Sequence, residues 1–426
     1  MKVYKFGGAS VKDATGIKNL ARIVSDENSD LIIVVSAFGK TTNALEKVLK
    51  LWLTGNPGYK GHLDKIFSYH LSIAGELFPS GNKLKGIIES SFTRLKEYLS
   101  SSGRSEYDFE YDQVVSYGEI WSTIIVAQFL KGSEMNAEWI DIRLNLITDA
   151  RYRDANILWN ESSDRIRANF NFDQSHIFVT QGFIGSTITG QTTTLGREGS
   201  DYTAAILANI LDADSVTVWK DVPGLLNADP KWLPDAQKLE EVSYREAVEM
   251  TFSGAKVIHP KTIKPLHNKN IPLYVKSFFA PKGEGTLVTA DPKLKRILPV
   301  FIRKESQVLL SLLPRDFSFV MGDSLSWMFR TFMQHGIKVN MVEASAVSIN
   351  VCVDDDKPRI ENLLSDLKEE YSAIYNENVE MLSIRHYTQE AIERITEGRD
   401  ILLEQRTRST VRFVMRGIAS SLRSSQ

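Results

Sequence analysis

The sequence predicts an α/β fold with a largely parallel sheet, followed by a smaller α+β region. An apolar run at 3–6 ends in two glycines, a helical pattern follows at 13–24, and a β-branched run follows at 31–35. Strand, helix and strand in this order are typical of a parallel unit. Beyond about residue 300 the order changes to β-α-β-β with a further helix, which predicts a ferredoxin-like unit.

Length and charge limit the possible functions. The chain has 426 residues, enough for two or three domains, with 51 basic and 53 acidic side chains. No strongly basic run is present, so nucleic acid and anionic membranes are not expected partners. The longest apolar run near the start, 31–38, is too short for a membrane span. The chain opens without a signal-peptide pattern, and its single cysteine, Cys352, excludes an intrachain disulfide, so we expect a cytoplasmic protein.

The first glycine turn is a candidate phosphate site. Lys5 precedes Gly7 and Gly8, and the helical pattern begins shortly after them. Paired glycines let backbone N–H groups approach an anion, while the helix N-terminus and the lysine add positive charge. A plain tight turn would give the same pattern, so this motif needs support from the rest of the chain.

The second strand ends in a polar loop that contains Ser36, Thr41 and Thr42. The sequence Gly39-Lys40-Thr41 imitates the end of a Walker A loop, but Val34 stands where that motif needs its first glycine. Turn chemistry and substrate contacts explain these hydroxyl groups equally well.

A helical insertion is predicted over 43–102, and another helix opens near 114 and reaches about residue 130. Glu119 falls in the first turn of that helix. An acidic residue there usually complements the helix dipole, although it can also bind a substrate ammonium group.

The densest polar segment, 192–202, follows the strands predicted at 137–142 and 176–180 and precedes an apolar helix. Arg197 can bind a carboxylate through two hydrogen bonds, and the following N–H groups can bind phosphate. Asp201 is either the helix N-cap or part of a site. The combination favours an anionic ligand.

Lysines follow the later periodic segments and could contact a triphosphate or remain solvated. They are Lys220 after the strand at 216–219, then Lys231 and Lys256. The seven histidines lack ligand spacing, so no structural metal is predicted.

The C-terminal region divides into two parts. Strands are predicted at 309–313, 339–342 and 345–353, with helices at 323–335 and 358–371. The tail, with strands at 379–384, 401–403 and 410–414 and a helix to about 397, is a shorter echo of the first part.

Seven ordered motifs give the whole chain a resemblance to the aspartokinases of the amino acid kinase superfamily. They are 5–10 (Lys-Phe-Gly-Gly-Ala-Ser), 35–37, 116–119, 181–183, 192–201, 221–224 and 254–260, with Ala9 a mild departure. The resemblance implies an amino acid kinase fold, a sheet between helical layers, followed by an ACT regulatory region. The implied domains are a catalytic domain at 1–298 (aspartate lobe about 1–213, ATP lobe about 214–298), an ACT-like domain at 299–375 and a shortened ACT-like segment at 376–426.

The resemblance also implies site residues. Catalytic roles fall to Lys5, Gly7, Gly8 and Asp201. The aspartate pocket comprises Ser36, Thr42, Glu119, Phe183, Arg197 and Ser200, with Arg197 on a carboxylate and Glu119 on the ammonium group. ATP contacts fall to Lys5, Gly8, Lys220, Asp221, Leu226, Lys231 and Lys256. The family often has Thr, Tyr and Arg where this chain has Lys220, Leu226 and Lys231.

The implied reaction is transfer of the ATP γ-phosphoryl group to the side-chain carboxylate of L-aspartate, with Mg²⁺ carried by the nucleotide. The chain ends without room for a dehydrogenase domain, so a monofunctional enzyme is expected. The alternative hypotheses are another amino acid kinase, for acetylglutamate or glutamate, and an inactive amino-acid-sensing protein. The resemblance further implies a homodimer joined through 300–426, with a lysine or threonine effector near 321–324 and 342–346.

Overall fold

Strands and helices follow one another along the chain. In the computed structural model the described residues are 1–78, 84–101, 103–255, 258–293, 297–316, 318–320 and 322–416. The strands are β1 (Lys2–Phe6), β2 (Leu31–Val35), β3 (Ala137–Ile140), β4 (Ile147–Thr148), β5 (Ile177–Gln181), β6 (Ile184–Thr187), β7 (Thr192–Thr194), β8 (Ser215–Lys220), β9 (Glu241–Ser243), β10 (Leu273–Ser277), β11 (Thr286–Thr289), β12 (Val300–Pro314), β13 (Val339–Ala344), β14 (Ile349–Asp354), β15 (Tyr371–Arg385), β16 (Ile401–Arg406) and β17 (Thr410–Arg416). The helices are α1 (Ala14–Ser25), α2 (Thr41–Leu53), α3 (Tyr59–Leu77), α4 (Leu84–Ser101), α5 (Tyr107–Val115), α6 (Tyr117–Gly132), α7 (Trp159–Asn169), α8 (Gly199–Ile210), α9 (Tyr244–Phe252), α10 (Pro260–Asn268), α11 (Gly322–Gln334), α12 (Lys357–Leu367) and α13 (Gln389–Thr396), with a 3₁₀ turn at Ile142–Leu144.

The described residues fall into two units. Those of the first lie within 1–225, 238–248 and 257–293, and those of the second within 226–237, 249–256 and 294–426. The sheet of the second unit begins at β12, close to the expected limit of the catalytic domain at 298. Two segments before that limit, 226–237 and 249–256, nevertheless group with the second unit, because Ala228 and Leu233 pack among its buried side chains.

An eight-stranded sheet organises the first unit, in the order β3-β5-β2-β1-β8-β10-β11-β9. The strands from β3 to β10 are parallel, and β11 is antiparallel to β10. Every residue of β2 is buried, which explains why its sequence is continuously apolar rather than alternating. The predicted parallel α/β sheet is confirmed, and its strands β1, β2, β5 and β8 end at one edge.

The predicted helical insertion is present as several helices that pack against α6. Leu45, Trp52, Leu63, Phe92 and Trp121 belong to one buried cluster that joins α2, α3, α4 and α6. The helix predicted to open near residue 114 is two helices in the structure, because α5 ends at 115 and α6 begins at 117. This break places Glu119 in the first turn of α6.

A small second sheet in the first unit was not predicted. It has the order β4-β6-β7, and β6 pairs with β7 in antiparallel fashion. The residues 192–194 were expected to belong to a polar binding segment, but these three threonines form β7 and are buried. Short hydroxyl-rich strands lack the apolar alternation that identifies a strand.

The second unit is built on two 15-residue strands, β12 and β15, that pair with each other in antiparallel fashion. They lie at the centre of a six-stranded sheet of order β13-β14-β12-β15-β17-β16. The pairing register shifts once on each strand, next to Ser306 (φ 54°) and Asn378 (φ 57°). Bulges of this kind bend a strand and let one long strand serve two half-sheets.

Each half-sheet has its own helices and core. Helices α11 and α12 cover the half formed by β12, β13 and β14, with Phe332 and Leu363 at the centre of that core. Helix α13 covers the half that contains β17, through Ile392 and Ile395. The segment at 376–426 therefore does not complete its half alone, because the first residues of β12 supply a strand to it.

The two end strands of this sheet also meet. Gln405 Nε2 in β16 donates to the Val342 carbonyl oxygen in β13 at 3.1 Å. A buried cluster that includes Cys352 and Met381, with the partly buried Leu403 packed against it, joins both halves. β13 and β16 remain the end strands of the sheet, because the Gln405 contact joins them through a side chain and not through backbone pairing.

The bulge at Ser306 generates a prediction about stability. Its side chain is exposed, so substitutions there act chiefly through the backbone. In an ordinary strand valine is preferred over serine and serine over glycine, but at positive φ this order reverses. We predict that S306V lowers the free energy of unfolding by about 1–2 kcal/mol, while S306G leaves it unchanged or raises it.

Denaturant unfolding of the full chain measures both effects. The matched control is Ser372, an exposed residue of β15 whose φ is not positive, where S372V should be at least as stable as S372G. A more stable S306V than S306G would show that the bend does not depend on this backbone conformation.

Candidate active site

A cavity of about 470 Å³ lies in the first unit at the C-terminal edge of the parallel sheet. Ligands bind in α/β proteins at this edge, where the loops after neighbouring parallel strands come together. The lining residues are Lys5, Gly8, Ala9, Ser36, Ala37, Gly39, Thr42, Tyr111, Glu119, Arg153, Phe183, Thr194, Gly196, Arg197, Glu198, Gly199, Ser200 and Asp201.

A buried ion pair joins two of the predicted catalytic residues. Lys5 Nζ, from β1, lies 2.6 Å from Asp201 Oδ1 in the first turn of α8, and their side chains are 12% and 4% exposed. Burial alone would raise the pKa of Asp201, but the charges of Lys5 and Lys220 outweigh it and hold that pKa below its usual range. The carboxylate therefore stays ionised at neutral pH and fixes the position of the Lys5 ammonium group.

Glu119 is a buried carboxyl group with unused acceptor capacity. Its Oε1 accepts a hydrogen bond from the Ala37 N–H at 3.3 Å, whereas its Oε2 is buried with no hydrogen-bond partner. Burial raises the pKa of Glu119 to about 8, against the lowering effect of the backbone hydrogen bond. An unsatisfied buried carboxyl oxygen is costly, and a cationic ligand would relieve that cost.

Glycines allow the loops of the site to approach each other closely. A Cβ at Gly8 would lie 2.3 Å from the Ala37 carbonyl oxygen, and one at Gly182 would lie 2.5 Å from Ser200 Cβ. This contact after β5 brings Ser200 to Ser36, whose Oγ donates to Ser200 Oγ at 3.0 Å. The predicted pocket residues Ser36 and Ser200 are thus brought together by backbone packing.

Gly7 is next to the cavity rather than among its lining residues. A Cβ on Gly7 would lie 3.6 Å from Lys5 Nζ. Its carbonyl oxygen accepts from the Ser10 N–H at 3.0 Å, which closes the turn after β1. The turn therefore leaves the Lys5 ammonium group open on the glycine side.

Apart from alanines and glycines, four lining residues are not among the predicted site residues: Tyr111, Arg153, Thr194 and Glu198. Tyr111 lies in the insertion, and Arg153 lies in a loop between β4 and α7 that carries no periodic signal in the sequence. Thr194 and Glu198 fall within the polar segment at 192–202 that was predicted to bind an anion. Two of these four residues therefore come from segments distant in sequence that only the fold brings together.

Glu198 connects the cavity loop to the start of α10. It precedes α8 with a left-handed backbone (φ 55°), and its Oε2 accepts from the His259 N–H at 2.9 Å. The next basic residue, Lys261, forms an ion pair with Asp154. His259, from the motif at 254–260, thus contributes to the position of the loop that carries Arg197.

The predicted ATP contacts lie outside the described cavity lining, apart from Lys5 and Gly8. Lys220 is the last residue of β8, close enough for its charge to act on Asp201, and Asp221 follows it. Leu226 and Lys231 belong to the second unit, and Lys256 lies outside the described residues. Their contact with ATP stays a prediction.

The described residues contain no group of three or more His, Cys, Asp or Glu side chains arranged to hold a metal ion. Within the same residues, no helix combines the length and the apolar character needed to cross a membrane.

The chain matches known proteins along most of its length. The model of the amino acid kinase family matches residues 1–277. The lysine-sensitive aspartokinase 3 of Escherichia coli is 33% identical over 360 residues, which cover 83% of this chain and 78% of that protein. A chloroplastic bifunctional aspartokinase/homoserine dehydrogenase 2 of Arabidopsis thaliana is 30% identical over 386 residues, but the matched part is 42% of that protein's length.

Solved structures agree with these matches. Escherichia coli aspartokinase III in complex with aspartate and ADP superposes with a TM-score of 0.82 and 28% identity, covering 99% of this chain and 97% of that chain. The same enzyme in complex with lysine and aspartate gives a TM-score of 0.83, also with 28% identity, covering 98% and 96%. The chain therefore belongs to the amino acid kinase family and, within it, to the aspartokinases.

Proposed function

We propose that this protein transfers the γ-phosphoryl group of ATP to the side-chain carboxylate of L-aspartate, giving 4-phospho-L-aspartate and ADP. This reaction opens the biosynthesis of the aspartate-family amino acids. The observation that carries the proposal is the cavity itself, where the buried Lys5–Asp201 ion pair and the unpartnered Glu119 Oε2 line the same space. The family membership and the relative solved with aspartate and ADP support the same assignment.

The acceptor occupies the part of the cavity lined by Glu119 and Arg197. Glu119 binds the substrate ammonium group through its unpartnered Oε2, and Arg197 binds a carboxylate through paired N–H donors. Ser36 and Ser200 offer hydroxyl groups next to these charges, while Thr42 and Phe183 complete the wall. The acceptor carboxylate is thereby oriented toward Lys5 before reaction, which lowers the entropic part of the barrier.

Phosphoryl transfer needs no general base, because the attacking carboxylate is already ionised. One of its oxygens forms a bond to the γ-phosphorus, and the bond from that phosphorus to the β,γ-bridging oxygen breaks, so the electron pair leaves with ADP. Lys5 stabilises negative charge on the transferred group, Asp201 holds Lys5 in position, and the Gly7 and Gly8 turn allows close approach. These residues supply electrostatic stabilisation rather than proton transfer.

ATP reaches Lys5 from the end of β8. Lys220 and Asp221 lie there, and the nucleotide contacts expected of Leu226, Lys231 and Lys256 stay predictions. Mg²⁺ arrives with the nucleotide, held by phosphate oxygens and water. We also propose a cytoplasmic location, which stays a prediction.

An ADP-release assay with three acceptors tests the function. We predict ADP release that depends on aspartate, with a kcat/KM at least 100-fold lower for glutamate or acetylglutamate, because an extra methylene group displaces the attacking carboxylate from Lys5.

The variant K5A should lower kcat roughly 10²–10³-fold with a smaller change in the KM for aspartate. Preference for glutamate or acetylglutamate would assign the rival kinase activity, and no release with any acceptor would leave the sensing role.

We further propose an amino-acid effector site and a homodimer in the second unit. The loop before α11 lies beside the end of β13, since the Val320 N–H donates to the Ala346 carbonyl oxygen at 2.9 Å. This is the region expected to bind lysine or threonine, although Met321 lies outside the described residues. Helix α11 also exposes apolar side chains, with Phe329 44% and Met333 71% accessible.

The exposed apolar face of α11 predicts the subunit contact. Light scattering of the full chain should give twice the monomer mass, and F329E/M333E should shift it toward the monomer, because two charges would be buried in the contact. The matched variant E361K/E369K changes exposed charges on and after α12 instead and should remain dimeric. A monomeric full chain would contradict the proposal.

A further inference from the structure

Three residues that line the cavity have an unusual backbone conformation. Arg153 (φ 67°), Phe183 (φ 71°) and Glu198 (φ 55°) all have positive φ without being glycine. Side chains are disfavoured there, and such residues persist where the surroundings hold them, often at functional sites. The conformation of Phe183 follows from its position between β5 and β6, and that of Glu198 from its contact with His259. Arg153 has no role in the proposed mechanism.

The backbone of Arg153 is fixed by a buried carboxylate. The Arg153 N–H donates to Asp112 Oδ2 at 3.0 Å. The same carboxylate accepts from Thr194, through its N–H at 2.8 Å and its Oγ1 at 2.7 Å. Asp112 therefore joins α5, the Arg153 loop and β7, and it sets the place from which the Arg153 side chain leaves the backbone.

Aromatic rings and one exposed carboxylate hold the guanidinium group. Its carbon lies 4.7 Å from the ring centre of Tyr111 and 5.4 Å from that of Tyr107. Nη1 donates to Asp108 Oδ1 at 3.1 Å. A guanidinium group has five N–H donors, and stacking on rings leaves its edge available for a planar anion. Tyr111 lines the cavity beside Arg153, so the stack presents the cation at the cavity wall.

The charges of the lining match an acceptor with two carboxylates. The lining contains three acidic residues, Glu119, Glu198 and Asp201, and three basic residues, Lys5, Arg197 and Arg153. Lys5 pairs with Asp201, Glu198 accepts from the His259 N–H, and Arg153 keeps N–H donors beyond its ion pair with the exposed Asp108. The Glu119 carboxyl group and two guanidinium groups then face a substrate that carries one ammonium group and two carboxylates.

We propose that Arg153 is a specificity-determining residue that binds one carboxylate of the acceptor while Arg197 binds the other. The inference rests on the proposed function and extends it to a residue outside the predicted site. An acceptor with a single carboxylate leaves one guanidinium group without its anion and is rejected for that reason.

The test compares R153G with R153K and measures kcat and the KM values for aspartate and for ATP separately. Glycine suits the positive φ of this position, so R153G removes the side chain without backbone strain. We expect the KM for aspartate to rise at least tenfold in R153G, kcat to change less than threefold and the KM for ATP less than twofold. R153K should recover part of the loss, because it restores the charge but not the paired donors.

Two control variants separate this role from a structural one. R151A removes a positive charge from the same loop, on a side chain that is 68% exposed and outside the lining, and should leave the KM for aspartate unchanged. E134G relieves a positive φ of 62° elsewhere in the first unit and reports the effect of that relief on thermal stability. A purely structural Arg153 would lower the unfolding temperature of R153G without the selective rise in KM.

The α-amide of L-aspartate identifies the arginine that binds each carboxylate. This analogue keeps the reacting side-chain carboxylate but lacks the other. With this amide as the acceptor, one of the variants R153G and R197A should have the same KM as the parent protein, because its arginine binds the carboxylate that the amide lacks. The other variant should still have a raised KM. Any one of three results would overturn the inference. They are an aspartate KM in R153G within twofold of the parent, an equal rise of the aspartate KM in R151A, and a raised KM for the amide in both arginine variants. A parent protein without aspartate-dependent ADP release would overturn the proposed function, and the inference with it.

Discussion

The ion pair between Lys5 and Asp201 is the interaction on which the arrangement of the cavity depends. It joins the first strand of the sheet to the helix after the polar segment, two places far apart in sequence, at 2.6 Å. A pair this deeply buried is stable only when each charge keeps its partner, because an isolated buried charge is expensive. The turn at Gly7 and Gly8 and the loop that carries Arg197 are consequently held in one fixed relation.

The remaining charges of the cavity are incompletely compensated, and the selectivity that we propose for the site rests on them. Glu119 has an oxygen without a partner, and Arg153 is supported by tyrosine rings and one exposed carboxylate. A substrate that supplies the complementary charges pairs with these groups, while a substrate that lacks one of them leaves a charge unpaired. Binding energy and discrimination therefore come from the same residues.

The sequence predicted most of the sheet and much of the cavity, for identifiable physical reasons. The strand at 31–35 is continuously apolar because both of its faces are buried, and the residues that follow β1, β2 and β5 are confined to one edge by parallel pairing. Arg153 could not be predicted, since its loop carries no periodicity and its position depends on the distant Asp112. The bend of β12 could not be predicted from the sequence either, because one serine at positive φ leaves the apolar pattern almost unchanged.

Proton release on aspartate binding tests the central claim, charge complementarity, most directly. The pKa of Glu119 is raised to about 8 in the ligand-free cavity, so this group is mostly protonated at pH 7. An ammonium group bound against it lowers that pKa, so aspartate should bind more tightly as the pH rises toward 8 and release more than about half a proton per molecule at pH 7. Calorimetric titrations in buffers of different ionisation enthalpy measure this number. We predict such a release in the parent protein and none in E119Q, whereas a binding enthalpy independent of the buffer in the parent would contradict charge complementarity.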